Sequence, residues 1–319
     1  MAVLVGIDEA GFGPILGPLV VSSSTFLLPG NLVGADLWKI LVKSVASQKK
    51  RQAGRLLVAD SKKFHNSSER IKLLERTVLA ALYYLGKKPA TLTELIAMLC
   101  PDSLERLEIY PWHKSKSSSR LLVNHADLTI ASKVFSEDMA ANGIQLLELK
   151  SCCLDVAHYN KLVGDVKNKS VVLFTVVCQH IKEAFDKFGG DDLQILVDRQ
   201  GGRVRYQRIL QRMFPGMDLR ILKESEANSS YELKADGKKM RLHFAIKADN
   251  KFLPVSLASM VSKYLRELLM HNINRYFAGF HADLRPTAGY WKDGLRFIED
   301  LKKNRTGLAY DKDKLIRCR

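Results

Sequence analysis

Three short apolar runs in this chain each end at or close to an acid. Val3 to Ile7 runs into Asp8, with Glu9 beside it; Leu193 to Val197 runs into Asp198; Met240 to Ile246 stops shortly before Asp249. Taken singly, each acid is more simply a loop carboxylate that accepts from backbone amides. Together they suggest chemistry, because ligands of α/β sheets gather outside the carboxyl ends of the strands. The sequence leaves the strand order open. Carboxylates crowded without cations repel one another unless a hard cation sits among them. Mg²⁺ and Mn²⁺ prefer such oxygen ligands and keep water and phosphate in their shells. Two ions about 3.5–4 Å apart can activate a water and stabilise the departing oxygen in phosphodiester cleavage. The eight histidines show no H-E-x-x-H or comparable spacing, which counts against zinc chemistry.

The elements that must hold these acids follow from pattern. Val3 to Ile7 and Leu193 to Val197 are short, β-branched and apolar, as buried strands are. Successive side chains of a strand point to opposite faces, so Asp8 and Glu9 serve one site only if Glu9 already lies in a turn. Ala10-Gly11-Phe12-Gly13 offers that turn. A second strand is expected over Leu19 to Leu27. A helix is expected from Asn66, with Glu69 three residues on in a capping-box arrangement and Gly86 as its stop. Thr91 to Leu99 and Thr129 to Ala141 read as helices, separated by the polar stretch Ser115 to Ser119. Ser170 to Phe188 reads as another helix. Leu219 to Glu224, Tyr231 to Ala235 and Met240 to Ile246 read as strands, with Asp236-Gly237 as a hairpin turn. Val255 to Phe277 and Trp291 to Lys303 complete the helices.

Bulk composition narrows the class. Of 319 residues, 46% are hydrophobic and 26% charged, so a full core needs no disulfide or structural metal. The net charge of +16 suits a polyanionic partner, since Lys and Arg displace the counterions condensed on phosphates. From charge alone, a merely basic protein is an equally good reading. The five cysteines (Cys100, Cys152, Cys153, Cys178 and Cys318) are odd in number and form no C-x-x-C pair. Reduced thiols in a cytoplasmic protein are therefore expected. The opening residues lack the basic and apolar regions of a signal peptide, and no apolar run is long enough to span a membrane.

Gly6-Ile7-Asp8-Glu9-Ala10-Gly11-Phe12-Gly13-Pro14, followed by Gly17-Pro18, resembles the opening signature of the ribonuclease HII family. The resemblance continues in order through Asp60-Ser61-Lys62-Lys63, Ile195-Leu196-Val197-Asp198, Lys247-Ala248-Asp249, Ala258 to Lys263 and Gly289-Tyr290. It implies an α/β, RNase H-like fold, a central mixed β-sheet flanked by helices. Residues 1–86 and 151–319 would form the catalytic core, and 87–150 a mainly helical insertion. It further implies a metal-dependent endonuclease that cuts 5′ to ribonucleotides in RNA–DNA hybrids or in duplex DNA, a chemistry of DNA repair. Asp8, Glu9, Asp198 and Asp249 would be the catalytic ligands of two Mg²⁺ or Mn²⁺ ions. Nucleic acid is the implied partner, no membrane is involved, and a monomer is expected.

The substrate-facing residues also come from the resemblance. Gly11, Phe12 and Gly13 would meet the ribose 2′-hydroxyl, and Asp60, Ser61 and Lys62 the substrate backbone. Tyr290 would lie against the ribose, although a lone tyrosine is more often ordinary packing. Ser259 and Lys263, four apart on one helix face, would bind phosphate; a salt-bridged surface Lys263 is nearly as good a reading. The chain departs from the family at four places, one of them Glu267, which stands where an Asp commonly follows Arg in the long helix. Phe12 replaces the Arg or Lys usual between the two glycines, so backbone contacts survive there while a cation is lost. Arg199 follows Asp198 where Gly is usual, and a short basic tail, Lys312 to Arg319, replaces the usual C-terminal sequence. A binding protein that has lost cleavage, or a nuclease of altered preference, are the competing readings.

Overall fold

The computed structural model describes residues 1–59, 67–114, 120–121, 124–281, 283–303 and 310–318. Its strands are β1 (Ala2–Ala10), β2 (Leu19–Leu28), β3 (Val45–Ala46), β4 (Leu56–Leu57), β5 (Gln145–Leu154), β6 (Asp192–Asp198), β7 (Asp218–Glu224), β8 (Asn228–Ala235) and β9 (Lys238–Ala245). Seven of them form one mixed sheet in the order β5-β2-β1-β6-β9-β8-β7, while β3 and β4 pair separately. The helices are α1 (Leu37–Ile40), α2 (Ser67–Tyr84), α3 (Leu92–Leu99), α4 (Leu104–Glu108), α5 (His125–Ala141) and α6 (Val156–Val166). They continue as α7 (Lys169–Phe188), α8 (Gln207–Met213), α9 (Leu253–Ala278), α10 (Trp291–Lys303) and α11 (Lys312–Leu315). A central mixed sheet flanked by helices is the architecture expected.

At the centre β1, β6 and β9 run parallel, while β2, β5, β8 and β7 join by antiparallel pairing. Alternation along β1 divides the core. Ala2 and Leu4 pack beneath α9, whereas Val3, Val5 and Ile7 pack on the opposite face with α7. Parallel strands buried on both faces read as unbroken apolar runs, which made β1 and β6 visible in the sequence, whereas β9 alternates. Asp236 and Gly237 both have positive φ, the backbone of a two-residue hairpin between β8 and β9.

Helix α9 lies across β1 and β2, and its first turn sits directly on Gly6. A β-carbon at residue 6 would come 2.2–2.5 Å from backbone atoms of Pro254 and Val255. The Ser24 hydroxyl donates to the Pro254 carbonyl at 2.7 Å and secures the same junction. Further along, the Ser262 hydroxyl lies 3.1 Å from the Asp8 carbonyl oxygen and 2.8 Å from the Ser22 hydroxyl. The helix thus touches the strand on both sides of Ile7.

Two expectations need revision. Residues 145–150 belong to β5, which pairs with β2 at the edge of the main sheet, so the expected helical insertion 87–150 takes in six residues of sheet. Apolar side chains of α3 and α5 also share the core beneath α9 rather than forming one of their own. Second, Glu9 does not lie in a turn, because β1 continues to Ala10. The expected cap Asn66 and the stretch Ser115 to Ser119 lie outside the described residues.

Gly6→Ala should destabilise the fold by about 1–3 kcal/mol, the usual consequence of overpacking a filled core. Urea denaturation measures this, and an unchanged midpoint would show that α9 does not rest on Gly6.

Candidate active site

The register of the central strands brings the acids together. Ile7 pairs with Val197 between β1 and β6, so the next residue on each strand is Asp8 and Asp198. Asp198 in turn pairs with Ala245 on β9. The chain then passes Lys247, with φ of +52°, into a single 3₁₀ turn of Ala248–Asn250 that carries Asp249. An Asp198 carboxylate oxygen accepts from the Ala248 amide at 2.7 Å and ties this turn to β6. Asp8, Glu9, Asp198 and Asp249 all line one cavity of about 290 Å³.

Glu9 reaches that cavity although it follows Asp8 in a strand. The parallel pairing of β1 with β6 ends at Ile7, while pairing with β2 runs on to Ala10. Beyond Ile7 the strand is therefore open along the edge that faced β6. The cavity lies at this open end, where residues of both parities reach it.

Burial and the nearby Asp198 charge hold the Asp8 carboxyl well above the usual carboxylate range. Ser259, Lys263 and the Glu9 amide, 2.8 Å from Asp8 Oδ1, favour its anion. Asp249 accepts from the Asn250 side chain at 3.0 Å. The donors are hard oxygens, and the repulsion between Asp8 and Asp198 is what a cation would relieve; in donor type the residues fit Mg²⁺ or Mn²⁺. Among the described residues, no three His, Cys, Asp or Glu side chains stand gathered as a ready-made metal-ligand set.

Around the acids stand cations and the glycine turn. Lys263, Arg266, Glu267, Tyr290 and residues Ala10–Pro14 complete the cavity wall. Tyr290 is 55% exposed, with the Arg266 guanidinium carbon 5.8 Å from its ring centroid. Ser259, expected to bind phosphate, is instead buried and does not line the cavity. It sits one helical turn before Lys263 and beside Asp8, whose anion it favours. Glu267 forms an ion pair with Arg70 at 2.9 Å. Arg199 donates to the carbonyls of Arg203 and Glu226 and does not line the cavity. Asp60, Ser61 and Lys62 lie outside the described residues.

Two arginines that carried no role in the sequence reading hold the turn. Arg266 Nη2 donates to the Leu16 carbonyl at 3.2 Å and the Ala288 carbonyl at 2.9 Å. It thereby joins the glycine turn to the segment bearing Tyr290. The Ile15 amide donates to the Gly289 carbonyl at 2.8 Å, and a β-carbon at Gly289 (φ +82°) would lie 2.6 Å from the Leu16 carbonyl oxygen. From the tail, Arg317 donates to the Gly11 carbonyl through its guanidinium and to the Ile15 carbonyl through its backbone, the latter at 2.8 Å. Burial and neighbouring Arg266 bring the Arg317 guanidinium down to about 10. Arg266 lies on the α9 face of Ser259 and Lys263, spacing that could have flagged it. Arg317 had no such signal.

Neither a protein-family model nor a curated protein sequence matches the chain. Among solved structures it is similar to the ribonuclease HII of Archaeoglobus fulgidus, described in a complex with PCNA. That likeness has 17% identity and a TM-score of 0.45, and covers 99% of this chain and 94% of that one. It is also similar to the ribonuclease H2 of Pyrococcus horikoshii OT3, with 15% identity, a TM-score of 0.47 and coverage of 98% and 92%. A third likeness is to Bst-RNase HIII in complex with Mn²⁺, with 15% identity, a TM-score of 0.46 and coverage of 99% and 66%. Among the described residues, no helix is long and apolar enough to cross a membrane.

Replacing Arg266 by Met strips the Leu16 and Ala288 carbonyls of a shared donor and should destabilise the protein by about 1–3 kcal/mol. Arg266→Lys should recover little, because a compact, strongly hydrated ammonium is costlier to bury at this site than a guanidinium. Thermal and urea unfolding report both, and a lysine variant as stable as the parent would remove the bracing role.

Proposed function

We propose that this protein is a divalent-metal-dependent endonuclease of the ribonuclease HII type, hydrolysing the phosphodiester 5′ to a ribonucleotide in duplex DNA or an RNA–DNA hybrid. The observation that carries this reading is the meeting of Asp8, Glu9, Asp198 and Asp249 in one cavity with Lys263 and the Gly11–Gly13 turn. A protein that only binds nucleic acid has no need to bury mutually repelling acids opposite its anionic partner.

Asp8, Glu9, Asp198 and Asp249 would hold two Mg²⁺ or Mn²⁺ ions. When bound, such ions lower the pKa of water and stabilise charge on a departing oxygen. The chain supplies the rest. Lys263, the ammonium nearest the acids on α9, draws the scissile phosphate toward them as a point charge. Backbone N–H and C=O groups of Gly11 and Gly13 recognise the ribose 2′-hydroxyl, the group that separates RNA from DNA. Tyr290 packs its ring on the sugar. Ser259, buried beside Asp8, orients that carboxylate rather than the substrate. Arg266 and Arg317 keep the turn at a fixed height above the acids. The segment before β5 is a candidate for choosing between long hybrids and isolated ribonucleotides.

The direct test incubates the protein with a DNA duplex bearing one ribonucleotide, an all-DNA duplex and a long RNA–DNA hybrid, in Mg²⁺ or Mn²⁺. Cleavage 5′ to the ribonucleotide is expected. No cutting of any duplex in either metal, with binding intact, would leave a nucleic-acid-binding protein instead.

Asp198→Asn should lower cleavage by about 100-fold or more, since even outer partners of metal ligands cost 10–100-fold, while binding in the absence of metal holds. Mn²⁺ should raise the melting temperature of the parent protein more than that of the variant. Equal shifts would take Asp198 out of the metal site.

A further inference from the structure

The glycine turn that walls the carboxylate cavity also walls a second one. Phe12, Gly13 and Pro14 line both. The second cavity measures about 520 Å³, and its other walls include Tyr159, Lys167, Asn168, Lys169 and Trp291. None of its described lining residues is acidic. The Lys169 ammonium stands 5.4 Å from the centroid of the Phe12 ring, within cation–π range. Phe12 is half-buried, whereas Lys167, Lys169 and Trp291 are exposed.

We propose that this second cavity is the continuation of the substrate path, a subsite for the nucleotide strand flanking the scissile bond. Lys169 supplies there the cation that Phe12 does not. The proposal rests on the nuclease reading for the identity of the strand, and on its own residues for the fit. A strand needs point charges for its phosphates, and a flat ring packs on a sugar or, where the strand is unpaired, on a base. Both are here, with Lys167 and Lys169 flanking the α6–α7 junction and Trp291 and Phe12 on the turn side. The lysines are held in place by local structure. Lys167 adopts φ +56° where α6 ends, and Asn168 caps α7 by accepting from the Ser170 and Val171 amides at 2.9 and 3.3 Å. This cap occupies those amides, so side-chain ammoniums carry the phosphate contact. An acidic peptide would find the same charge, but not a carboxylate cavity adjoining it that is suited to a metal-bridged phosphodiester.

The test measures binding without cleavage. Fluorescence anisotropy in EDTA follows a labelled single-stranded DNA and a duplex carrying one ribonucleotide, over a range of salt, for the full chain and its variants. Lys167→Ala/Lys169→Ala should weaken binding about tenfold and lower the slope of log affinity against log salt by about 1–2. Lys169→Gln should show about half the slope change. Trp291→Ala should weaken binding roughly 5- to 100-fold, as loss of one stacking ring does. Lys39→Ala/Lys133→Ala removes two exposed charges elsewhere and should leave the slope near that of the parent. An unchanged slope in the Lys167/Lys169 variants overturns the subsite, as does an equal loss in the Lys39/Lys133 control. Tight binding of a phosphorylated acidic peptide without binding of either DNA also overturns it.

The two proposals fail differently. A parent protein that never cuts in Mg²⁺ or Mn²⁺, yet binds through Lys167 and Lys169, keeps the subsite and loses the nuclease. One that cuts with unchanged KM and affinity in the lysine variants keeps the nuclease and loses the subsite.

Discussion

The first turn of α9 occupies the space where a side chain at residue 6 would be, and the geometry of the whole site depends on that contact. With Gly6 two residues before Asp8 on the same face of β1, the strand and the helix meet almost backbone to backbone. The Ser24 hydroxyl on the Pro254 carbonyl fixes the helix start from the neighbouring strand. From that fixed point, the 3.6-residue period of the helix sets which side chains reach the strand end. Ser259 and Ser262 arrive beneath Asp8, and Lys263 and Arg266 arrive beside it. A helix held further out by a β-carbon would present the same sequence to empty space.

Charge organisation follows from the same packing. The acids lie at the open ends of parallel strands, where loss of hydration on burial, and after it the charge of Asp198, hold Asp8 well above an ordinary carboxyl. Two of the cations near them bind backbone rather than carboxylates. Arg266 and Arg317 are buried and neighbouring, an arrangement that repulsion alone would disfavour. Their guanidiniums instead meet carbonyl oxygens of Gly11, Leu16 and Ala288. Backbone dipoles therefore offset part of the repulsion, and the arginines serve to set the shape of the turn. Lys263, on the same wall, favours the Asp8 anion instead.

Much of the fold was legible in the sequence, for identifiable reasons. Parallel strands buried on both faces are continuous apolar runs, so β1 and β6 and the acids at their ends could be read directly, while β9 showed itself by alternation, Met240, Leu242 and Phe244 buried between Arg241 and His243. Asp236-Gly237 announced its hairpin because few other residues tolerate two successive positive φ angles. The extent of the helical segment before residue 150 was not legible. Strand β5 (Gln145–Leu154) mixes exposed, half-buried and buried positions at a sheet edge, and such a strand has no single period. The side of the protein served by Ser259 was equally hidden, since helical spacing gives a face but not the depth at which that face meets a strand. Arg317 was illegible in a stronger sense, because a tail that pairs Ile316 with Leu16 makes a contact spanning nearly the whole chain.

Glu9 shows why spacing rules need the neighbouring strand as well as their own. Alternation places Asp8 and Glu9 on opposite faces, and the structure keeps both in β1. They reach one cavity because β6 stops pairing one residue before Asp8, so the barrier between the two faces ends there. The same opening gives the glycine turn room to leave β1 sideways, with Phe12 packed partly against the core on the α7 side. The acids and Phe12 are thus consequences of one strand end. Because Arg266 and Arg317 hold the turn from beneath, a displacement at Phe12 would be felt at Leu16, Ala288 and Gly289 through hydrogen bonds. The glycine turn and the wall of the carboxylate cavity are therefore mechanically joined.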